Sequence, residues 1–395
     1  MSIRRGRRVR AAALGVAVAA GITATVCAAP ASARDAAPGS HRATQQAMDA
    51  AVRAGVPGVV GLAQDGGRGW TGEAGVADLR TGRERRAEDR YRVGSITKTF
   101  VATVVLQLEA EGRLSLDDTV EHWLPGVVRG NGHDGTKITL RQLLQHTSGI
   151  FNYTQDQTFG QRVFTTDFLR HRYDTYTPRQ LVDIAMAHAP DFAPGTSWHY
   201  SNTNFVLAGM VIEKATGHSY ATEIDRRVLR PLHLRSTTLP GTDSRMPRPS
   251  GRAYSKLSQQ TTGRTYDVTA LNPSMAGSAG EMVSDSADLN RFYRALLTGE
   301  LLPQRQLKEM TTTVPVGSDT PDAGYGLGLM ENKLPCGTEV WGHDGGIHGS
   351  SSVALTTKDG RHSLAFNFNG DWSGDSAAVV VAEFCGTAPA SGPVK

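Results

Sequence analysis

The chain has 395 residues, 39% of them hydrophobic, which suits one large or two ordinary globular domains with a sizeable core. Its 42 Lys and Arg and 38 Asp and Glu give a net charge of +4, but the first 33 residues hold five Arg and no acidic residue. Residues 34–395 therefore carry 37 basic and 38 acidic side chains, a net charge of −1. This balance gives no support to binding of nucleic acid or of an anionic membrane.

The first 33 residues have the pattern of a secretory signal peptide. A segment with five Arg precedes an apolar, Ala-rich run over residues 11–26, and Ala31-Ser32-Ala33 is a small-x-small cleavage site. Arg7-Arg8 is a weak match to a twin-arginine signal, and the residues before Cys27 are a poor lipoprotein signal. We expect cleavage after about Ala33 and a secreted, extracellular product without a stable membrane anchor.

The next segment predicts a linker, a helix and a β-hairpin. Residues 34–41 form the linker, and residues 44–54 have a helical pattern. Two strands follow at 56–63 and 69–79, joined at Gly66-Gly67, which is a hairpin signal. A charged loop over 81–89 then leads to a helix predicted at 97–111.

Ser95 and Lys98 lie three residues apart at the start of this helix, directly after Gly94. Residues at this spacing share a helix face, and a hydroxyl in the first turn faces unpaired backbone N–H groups. A nearby ammonium can lower the pKa of the hydroxyl, and a neutral amine can take its proton. The pair therefore predicts an activated nucleophile. The alternative is an N-cap Ser beside a solvent-facing Lys.

The middle of the chain is mainly helical, and its end changes to the two-residue period of strands. Helices are predicted at 116–123, 140–145, 178–188, 202–214, 220–229, 284–297 and 303–310. Strands are predicted at 325–330, 338–341, 350–356 and 363–369, before a last helix at 375–384. We therefore predict an α/β (α+β) protein in which an antiparallel sheet, flanked by helices, is built from both ends of the chain around an inserted all-helical subdomain.

Tyr200-Ser201-Asn202 opens a predicted helix and is the second candidate site. A Tyr hydroxyl beside a Lys ammonium has a depressed pKa and can shuttle protons. The Asn202 amide can hold a Lys or a substrate carbonyl. The alternative is an ordinary buried Tyr with Asn202 as the helix N-cap.

His343-Asp344-Gly345-Gly346 is the third candidate site. Glycines at a strand end allow a substrate to approach the backbone closely, and their N–H groups can form an oxyanion hole. His343 would add a polar or cationic side chain at the cleft edge. The alternative is a Gly-rich hairpin with an incidental His.

Other motifs do not predict chemistry. Ser284-Asp285-Ser286 precedes a helix, and N-capping explains it. His343, Asp344 and His348 lack a zinc-ligand spacing, and the sequence has no phosphate-binding loop or dinucleotide fingerprint. We expect no metal and no cofactor. An even pair of cysteines, Cys336 and Cys385, in an exported chain favours a disulfide.

The three candidate sites, in this order, resemble the serine penicillin-recognising enzymes, in the branch of D-alanyl-D-alanine carboxypeptidases, class C β-lactamases and esterases. The resemblance covers about residues 42–385 and rests on the runs at 93–98, 140–149, 200–205 and 342–346. It implies the fold of β-lactamases and penicillin-binding proteins. We expect the α/β part at about 42–94 and 266–385, the helical part at about 95–265 and a flexible tail at 386–395.

The resemblance also implies a role for each matching residue. Ser95 would be acylated, and Lys98 and Tyr200 would share the proton transfers, without a choice between them as the acylation base. Asn202 would hold the acyl-side amide. The strand residues His343, Gly345 and Gly346 would bind substrate, with the N–H groups of Ser95 and Gly346 as the oxyanion hole. The Cys336–Cys385 disulfide resembles one in secreted carboxypeptidases.

Some positions depart from the carboxypeptidase pattern. Asp344 and Gly346 stand where such members often carry hydroxyl residues that hold the substrate's terminal carboxylate. Residues 325–341, which precede His343, contain no Arg and one Lys, Lys333. Our hypothesis is that protonated His343 or Lys333 replaces the missing charge. Aromatic residues near turns are candidates for the wall of the acyl pocket: Phe151, Tyr153 and Trp198.

We therefore expect a secreted, monomeric serine D-alanyl-D-alanine carboxypeptidase that acts on peptidoglycan stem peptides and binds β-lactams. The same site would also suit a class C-like β-lactamase, a carboxylesterase or a D-amino-acid peptidase. A different class of function is a non-catalytic penicillin sensor or a cell-wall-binding domain.

Overall fold

The computed structural model describes residues 41–258, 262–317, 320 and 322–387. The predicted signal peptide at 1–33 lies outside the described residues, as do residues 34–40 of the linker and 388–395 of the tail. None of the helices in the described ranges is long and apolar enough to cross a membrane.

Fifteen strands and twelve α-helices are assigned within these ranges. The strands are β1 (Gly58–Asp65), β2 (Arg68–Asp78), β3 (Arg83–Glu84), β4 (Tyr91–Arg92), β5 (Arg129–Gly130), β6 (His133–Asp134), β7 (Tyr254–Ser255), β8 (Tyr266–Asp267), β9 (Val283–Ser284), β10 (Val314–Pro315), β11 (Ala323–Tyr325), β12 (Met330–Lys333), β13 (Glu339–Ile347), β14 (Ser350–Thr357) and β15 (His362–Phe368). The helices are α1 (Arg42–Arg53), α2 (Thr97–Ala110), α3 (Val120–Trp123), α4 (Leu140–Gln145), α5 (Gln157–Phe164), α6 (Phe168–His171), α7 (Pro178–Met186), α8 (Asn202–Thr216), α9 (Tyr220–Ile224), α10 (Ser286–Leu297), α11 (Gln304–Met310) and α12 (Ser376–Cys385).

The main sheet joins both ends of the chain. Its nine strands have the order β10-β11-β12-β13-β14-β15-β1-β2-β3, and every neighbouring pair is antiparallel. β1 pairs with β15, with Val60 opposite Asn367, so the N-terminal hairpin extends the C-terminal strands. This arrangement confirms the predicted class of an antiparallel sheet flanked by helices.

Helices cover both faces of the sheet, which explains the nearly continuous buried runs of β14 and β15. On one face, α1 and α12 contact each other over an apolar cluster that includes Met48, Phe366 and Val379. On the other face, α10 packs against β1, β14 and β15. Phe100 of α2 stacks on Phe292 of α10 at 3.7 Å, and α2 packs against α8 within the core of the helical part.

The N-terminal ends of α2 and α8 carry residues of the first and second candidate sites. Most residues of both helices are buried, so each is apolar on nearly every side, as expected for a helix surrounded by protein. Lys98 lies in the first turn of α2, and Asn202 is the first residue of α8. The two helix N-termini therefore bring the first and second candidate sites together.

Two predicted elements have other bounds. The helix predicted at 116–123 begins only at Val120, because the Thr119 side chain accepts a hydrogen bond from the His122 N–H and caps it there. The strand predicted at 325–330 is two strands, β11 and β12, separated by a turn. Gly328 adopts a φ of +68° in this turn, and a Cβ there would lie 2.7 Å from the Ala102 Cβ, so the turn requires glycine.

Candidate active site

Ser95 lies in a 3₁₀ turn, Gly94–Ile96, that leads into α2. Gly94 has a φ of +53°, and a Cβ on it would lie 2.8 Å from the Gly346 backbone nitrogen. On the facing strand, a Cβ on Gly345 would lie 1.9 Å from the Val93 carbonyl oxygen and 2.8 Å from the Ser95 nitrogen. Glycine on both sides therefore allows β13 to touch the nucleophile turn, which brings together the first and third candidate sites.

Lys98 is fully buried beneath Ser95. Its Nζ lies 3.0 Å from Ser95 Oγ, 2.7 Å from Asn202 Oδ1 and 2.7 Å from the Ala279 carbonyl oxygen. Burial holds the pKa of Lys98 well below its ordinary value, and the nearby Asp344 carboxylate partly opposes that shift. A neutral amine would donate its two hydrogens to Asn202 and Ala279 and direct its lone pair at the Ser95 hydroxyl, which is the geometry of a general base.

Tyr200 lines the same cavity as Ser95. Its hydroxyl oxygen is buried beside the Ser95 hydroxyl. The Lys98 Nζ lies 4.9 Å from the centre of the Tyr200 ring. Burial raises the pKa of Tyr200 well above its ordinary value, and the neighbouring Ser95 hydroxyl only partly opposes this. The predicted depression of its pKa is therefore wrong, because burial outweighs the Ser95 hydroxyl and the Asp344 carboxylate adds to the rise. Tyr200 is a neutral phenol that can relay a proton.

Asn202 is held by hydrogen bonds at both ends of its amide. Oδ1 accepts from Lys98, while Nδ2 donates to Asn152 Oδ1 at 3.4 Å and to Thr154 Oγ1 at 3.3 Å. Its backbone N–H also donates to Asn152 Oδ1 at 3.1 Å. Ser201 occupies the N-cap position of α8, so the alternative that Asn202 is the cap is wrong. Asn202 fixes the position of the Lys98 amine instead.

His343 is placed differently from the prediction. It is 1% exposed, its Nδ1–H donates to the Asp344 carbonyl oxygen at 2.5 Å, and its Nε2 lies 3.0 Å from the Tyr325 hydroxyl. Of the described residues, Tyr325 and Asp344 line the cavity at this edge and His343 does not. Successive side chains of a strand point to opposite faces, so Asp344 lines the cleft, whereas the His343 ring is buried with its centre 6.3 Å from that of Tyr200 and 5.7 Å from that of Tyr325. Lys333, the last residue of β12, is exposed and is not among the described residues that line the cavity.

The cleft around Ser95 is a cavity of about 350 Å³. Tyr153 and Trp198 contribute to its wall, as the sequence predicted, whereas Phe151 stacks on His188 at 4.0 Å. Gly345 and Gly346 line it opposite Ser95. No group of three or more His, Cys, Asp or Glu side chains within the described ranges is arranged to hold a metal ion.

Sequence reasoning missed several residues of the site. His146 Nδ1 accepts from the Ser201 N–H at 3.2 Å and from Asn204 Nδ2 at 3.1 Å, and its ring centre lies 4.3 Å from that of Tyr200. Burial holds the pKa of His146 well below its ordinary value, so the ring is neutral. The run at 140–149 carried the resemblance, but a His in a turn has no pattern that predicts such contacts. Asn152 and Ala279 carried no signal in the sequence.

Cys336 and Cys385 form a disulfide. The bond connects the β12–β13 loop to the last residue of α12. Neither cysteine is among the described residues that line the cavity, and the bond holds the end of α12 against the main sheet. Asp285, in the rejected Ser284-Asp285-Ser286 motif, accepts a hydrogen bond from the Asp288 N–H and caps α10, as the sequence predicted.

Comparison with known proteins places this geometry in a family. The Beta-lactamase family model matches residues 41–382. A D-stereospecific amidohydrolase from Streptomyces sp. is 65% identical and superposes with a TM-score of 0.85, covering 88% of this chain and 100% of that chain. A D-amino acid amidase from Ochrobactrum anthropi SV3, complexed with L-phenylalanine amide, is 28% identical with a TM-score of 0.72, covering 83% of this chain and 90% of that chain.

Curated relatives match over shorter stretches. A penicillin-binding protein from Bacillus subtilis is 28% identical over 313 residues, which are 75% of this chain and 64% of that protein. Esterase EstB from Burkholderia gladioli is 38% identical over 165 residues, 41% of each chain. This chain thus spans less than two thirds of the length of both curated relatives.

Proposed function

Because the chain belongs to the Beta-lactamase family, we propose that this serine hydrolase cleaves amides or esters of D-amino acids through an acyl-enzyme on Ser95. The similarity to a D-stereospecific amidohydrolase and to a D-amino acid amidase supports this over the D-alanyl-D-alanine carboxypeptidase that we expected from the sequence. Both activities use the same nucleophile, and they differ in the group that leaves.

The observation that carries the proposal is the position of Asp344. Its carboxylate lines the cavity one residue before Gly345, which touches the nucleophile turn, and it is 26% exposed. It opposes the lowering of the Lys98 pKa by burial and adds to the raising of the Tyr200 pKa by burial, so its field reaches the groups that act on the substrate. A leaving group with a free carboxylate would be repelled here, whereas ammonia, an alcohol or an uncharged amide would not.

The reaction follows from the contacts of Ser95. Its hydroxyl attacks the substrate carbonyl carbon while its proton passes to the neutral Lys98 amine. The backbone N–H groups of Ser95 and Gly346 are the proposed donors to the oxyanion. The Tyr200 hydroxyl relays the proton to the leaving nitrogen or oxygen, and the bond between that atom and the carbonyl carbon breaks.

A water molecule completes the reaction by hydrolysing the acyl-enzyme. It attacks the acyl-enzyme carbonyl and gives a proton to the same Lys98–Tyr200 pair. The ester bond to Ser95 breaks, the Ser95 oxygen recovers a proton and the D-amino acid leaves. No group outside this chain and the substrate is needed for the proton balance.

Four substrates test the proposal with the wild type and Ser95→Ala. We expect release of ammonia from D-phenylalanine amide, much slower release from L-phenylalanine amide, turnover of a D-phenylalanine ester, and little turnover of a peptide ending in D-Ala-D-Ala. Ser95→Ala should abolish all activity and any labelling by a fluorescent penicillin. Preferential cleavage of the D-Ala-D-Ala peptide would restore the carboxypeptidase assignment.

Export remains part of the proposal, with residues 1–33 as the signal peptide. The disulfide supports it, because such bonds persist mainly in oxidising compartments. Expression of the full chain in an actinobacterial or other bacterial host should yield activity in the culture medium and a mature N-terminus near Arg34. Retention of residues 1–33 in the cell fraction would contradict export.

A further inference from the structure

The cavity continues beyond Ser95 on the side opposite Asp344. β13 passes Gly346, ends at Ile347 and turns through His348 and Gly349. The Gly349 N–H donates to Asp371 Oδ2 at 2.8 Å, and Asp371 lines this far end. Because a chain spans at most about 3.3–3.6 Å per residue, the Gly349 N–H that binds Asp371 lies within about 10 Å of Gly346.

This carboxylate has no cationic partner among the described residues. Lys256, next to Ser255, which contacts Asp371, donates to the Gly263 carbonyl oxygen at 2.6 Å and to Thr265 Oγ1 at 2.9 Å, and its Nζ lies over the Trp372 ring. Burial raises the pKa of Asp371 to about 6, while bonds from the Gly349 N–H and the Ser255 hydroxyl oppose that rise. Near neutral pH, the far end therefore holds a partly buried anion without a counter-charge.

His348 also lies at this end of the cavity, and its neutral ring can accept a hydrogen bond, as the Asp371 carboxylate can. His348 Nε2–H donates to the Val163 carbonyl oxygen at 2.5 Å, and Nδ1 has no partner in the described part of the chain. Burial lowers the pKa of His348 to about 4, so the ring is neutral. The far end thus combines a carboxylate with a neutral imidazole. A carboxylate in such surroundings is costly unless a cation joins it.

The wall between Ser95 and Asp371 is mostly apolar. It is formed by side chains from the helical part, the 257–276 segment and the strand end: Phe159, Phe164, Leu257, Met275 and Ile347. A substrate side chain with an apolar stem and a terminal cation would match an apolar wall that leads to a carboxylate. The four methylene groups of a lysyl side chain can lie along the wall while its ammonium reaches the carboxylate.

We propose that Asp371 forms an ammonium subsite of the acyl pocket and selects acyl donors whose side chain ends in a positive charge, such as D-lysine amide. This inference rests on the proposed function, since it names the acyl group that the same site prefers. It is independent of the leaving group, which lies on the Asp344 side of Ser95.

The test compares D-lysine amide with D-norleucine amide, which has a similar apolar chain and no terminal charge. In the wild type, kcat/KM should be higher for D-lysine amide, mainly through a lower KM. Asp371→Asn keeps an oxygen acceptor for the Gly349 N–H and removes the charge. It should lower kcat/KM for D-lysine amide about tenfold or more and leave D-norleucine amide within about twofold, because a charged hydrogen bond is lost for one substrate only.

Asp344→Asn is the matched control, because it removes one negative charge at the opposite end of the same cleft. It should leave the ratio between the two substrates unchanged. A ratio that survives Asp371→Asn, or that falls with Asp344→Asn instead, would overturn the subsite. If the wild type cleaves neither amide, the proposed function itself fails. Turnover of D-norleucine amide without a preference for D-lysine amide would refute the subsite alone.

Discussion

Lys98 Nζ and Asn202 Oδ1 are 2.7 Å apart although the two residues are separated by 104 positions in the chain. The bond joins the first turn of α2 to the first residue of α8 and directs the Lys98 amine at Ser95. Since Lys98 is fully buried, its orientation depends on the acceptors that surround it. Asn202 thus acts on the reaction through Lys98, in addition to any contact with substrate.

Asn202→Ala removes one of the acceptors that hold the Lys98 amine. We expect kcat to fall on the order of 100-fold, because a small displacement of the base costs about that much. Asn202→Asp keeps the oxygen but adds a negative charge, which raises the pKa of Lys98 and should move the acidic limb of the kcat/KM profile to higher pH. The acylation rate of both variants, measured before the steady state, tests this prediction. Circular dichroism of both variants controls for folding. Unchanged acylation in Asn202→Ala would show that Asn202 does not position the base.

The pH profile reports the state of Lys98 directly. Acylation requires the neutral amine, so kcat/KM should rise with pH through the lowered pKa of Lys98. Burial lowers the pKa of Lys98 and raises that of Tyr200, and the negative charge of Asp344 acts upward on both pKa values. Asp344→Asn should therefore move both limbs of the profile to lower pH. An acidic limb that stays in place would mean that another group controls acylation.

Gly94 and Gly112 give a matched pair of substitutions. Both have a positive φ, +53° and +68°, so Ala at either position costs about 1–2 kcal/mol of backbone strain. A Cβ at Gly112 meets nothing within 4 Å, but one at Gly94 would lie 2.8 Å from the Gly346 nitrogen. Gly94→Ala should thus lower kcat by about 100-fold or more, while Gly112→Ala affects only stability. Equal kcat losses would argue against contact between the nucleophile turn and β13.

The disulfide should contribute to stability without contributing to catalysis. It closes a loop of 49 residues that contains β13, β14 and β15, which corresponds to about 4 kcal/mol in the chain-entropy model. The double variant Cys336→Ser/Cys385→Ser should unfold at a clearly lower urea concentration than the oxidised wild type and match the wild type under reducing conditions. Its kcat at low temperature should be unchanged. A double variant as stable as the oxidised protein would contradict this role.

The parts of the site that were predictable are those with a local pattern. Ser95 and Lys98 share a helix face, and the hairpin at Gly66-Gly67 follows from the turn residues. The position of His343 was not predictable, because the residue type suggested a cleft cation and only the register of β13 turns the side chain inward. The raised pKa of Tyr200 likewise depends on burial by distant segments, which no local pattern contains. Asp371 reaches the cleft from a loop after β15, and only the folded sheet brings it there.

His146 offers a last test of how the second candidate site is positioned. Its backbone is left-handed, with a φ of 61°, and its Nδ1 accepts from the Ser201 N–H and Asn204 Nδ2. Asn and Gly both tolerate this backbone, but only Asn supplies an acceptor. His146→Asn should therefore retain more kcat than His146→Gly, and Gly should cost about 1–3 kcal/mol more stability, because buried donors lose their partner. KM for D-phenylalanine amide should change less than kcat in both variants, since Tyr200 and Lys98 move rather than the pocket wall. If the Gly variant equals the Asn variant in both kcat and stability, the acceptor at position 146 does not position Tyr200.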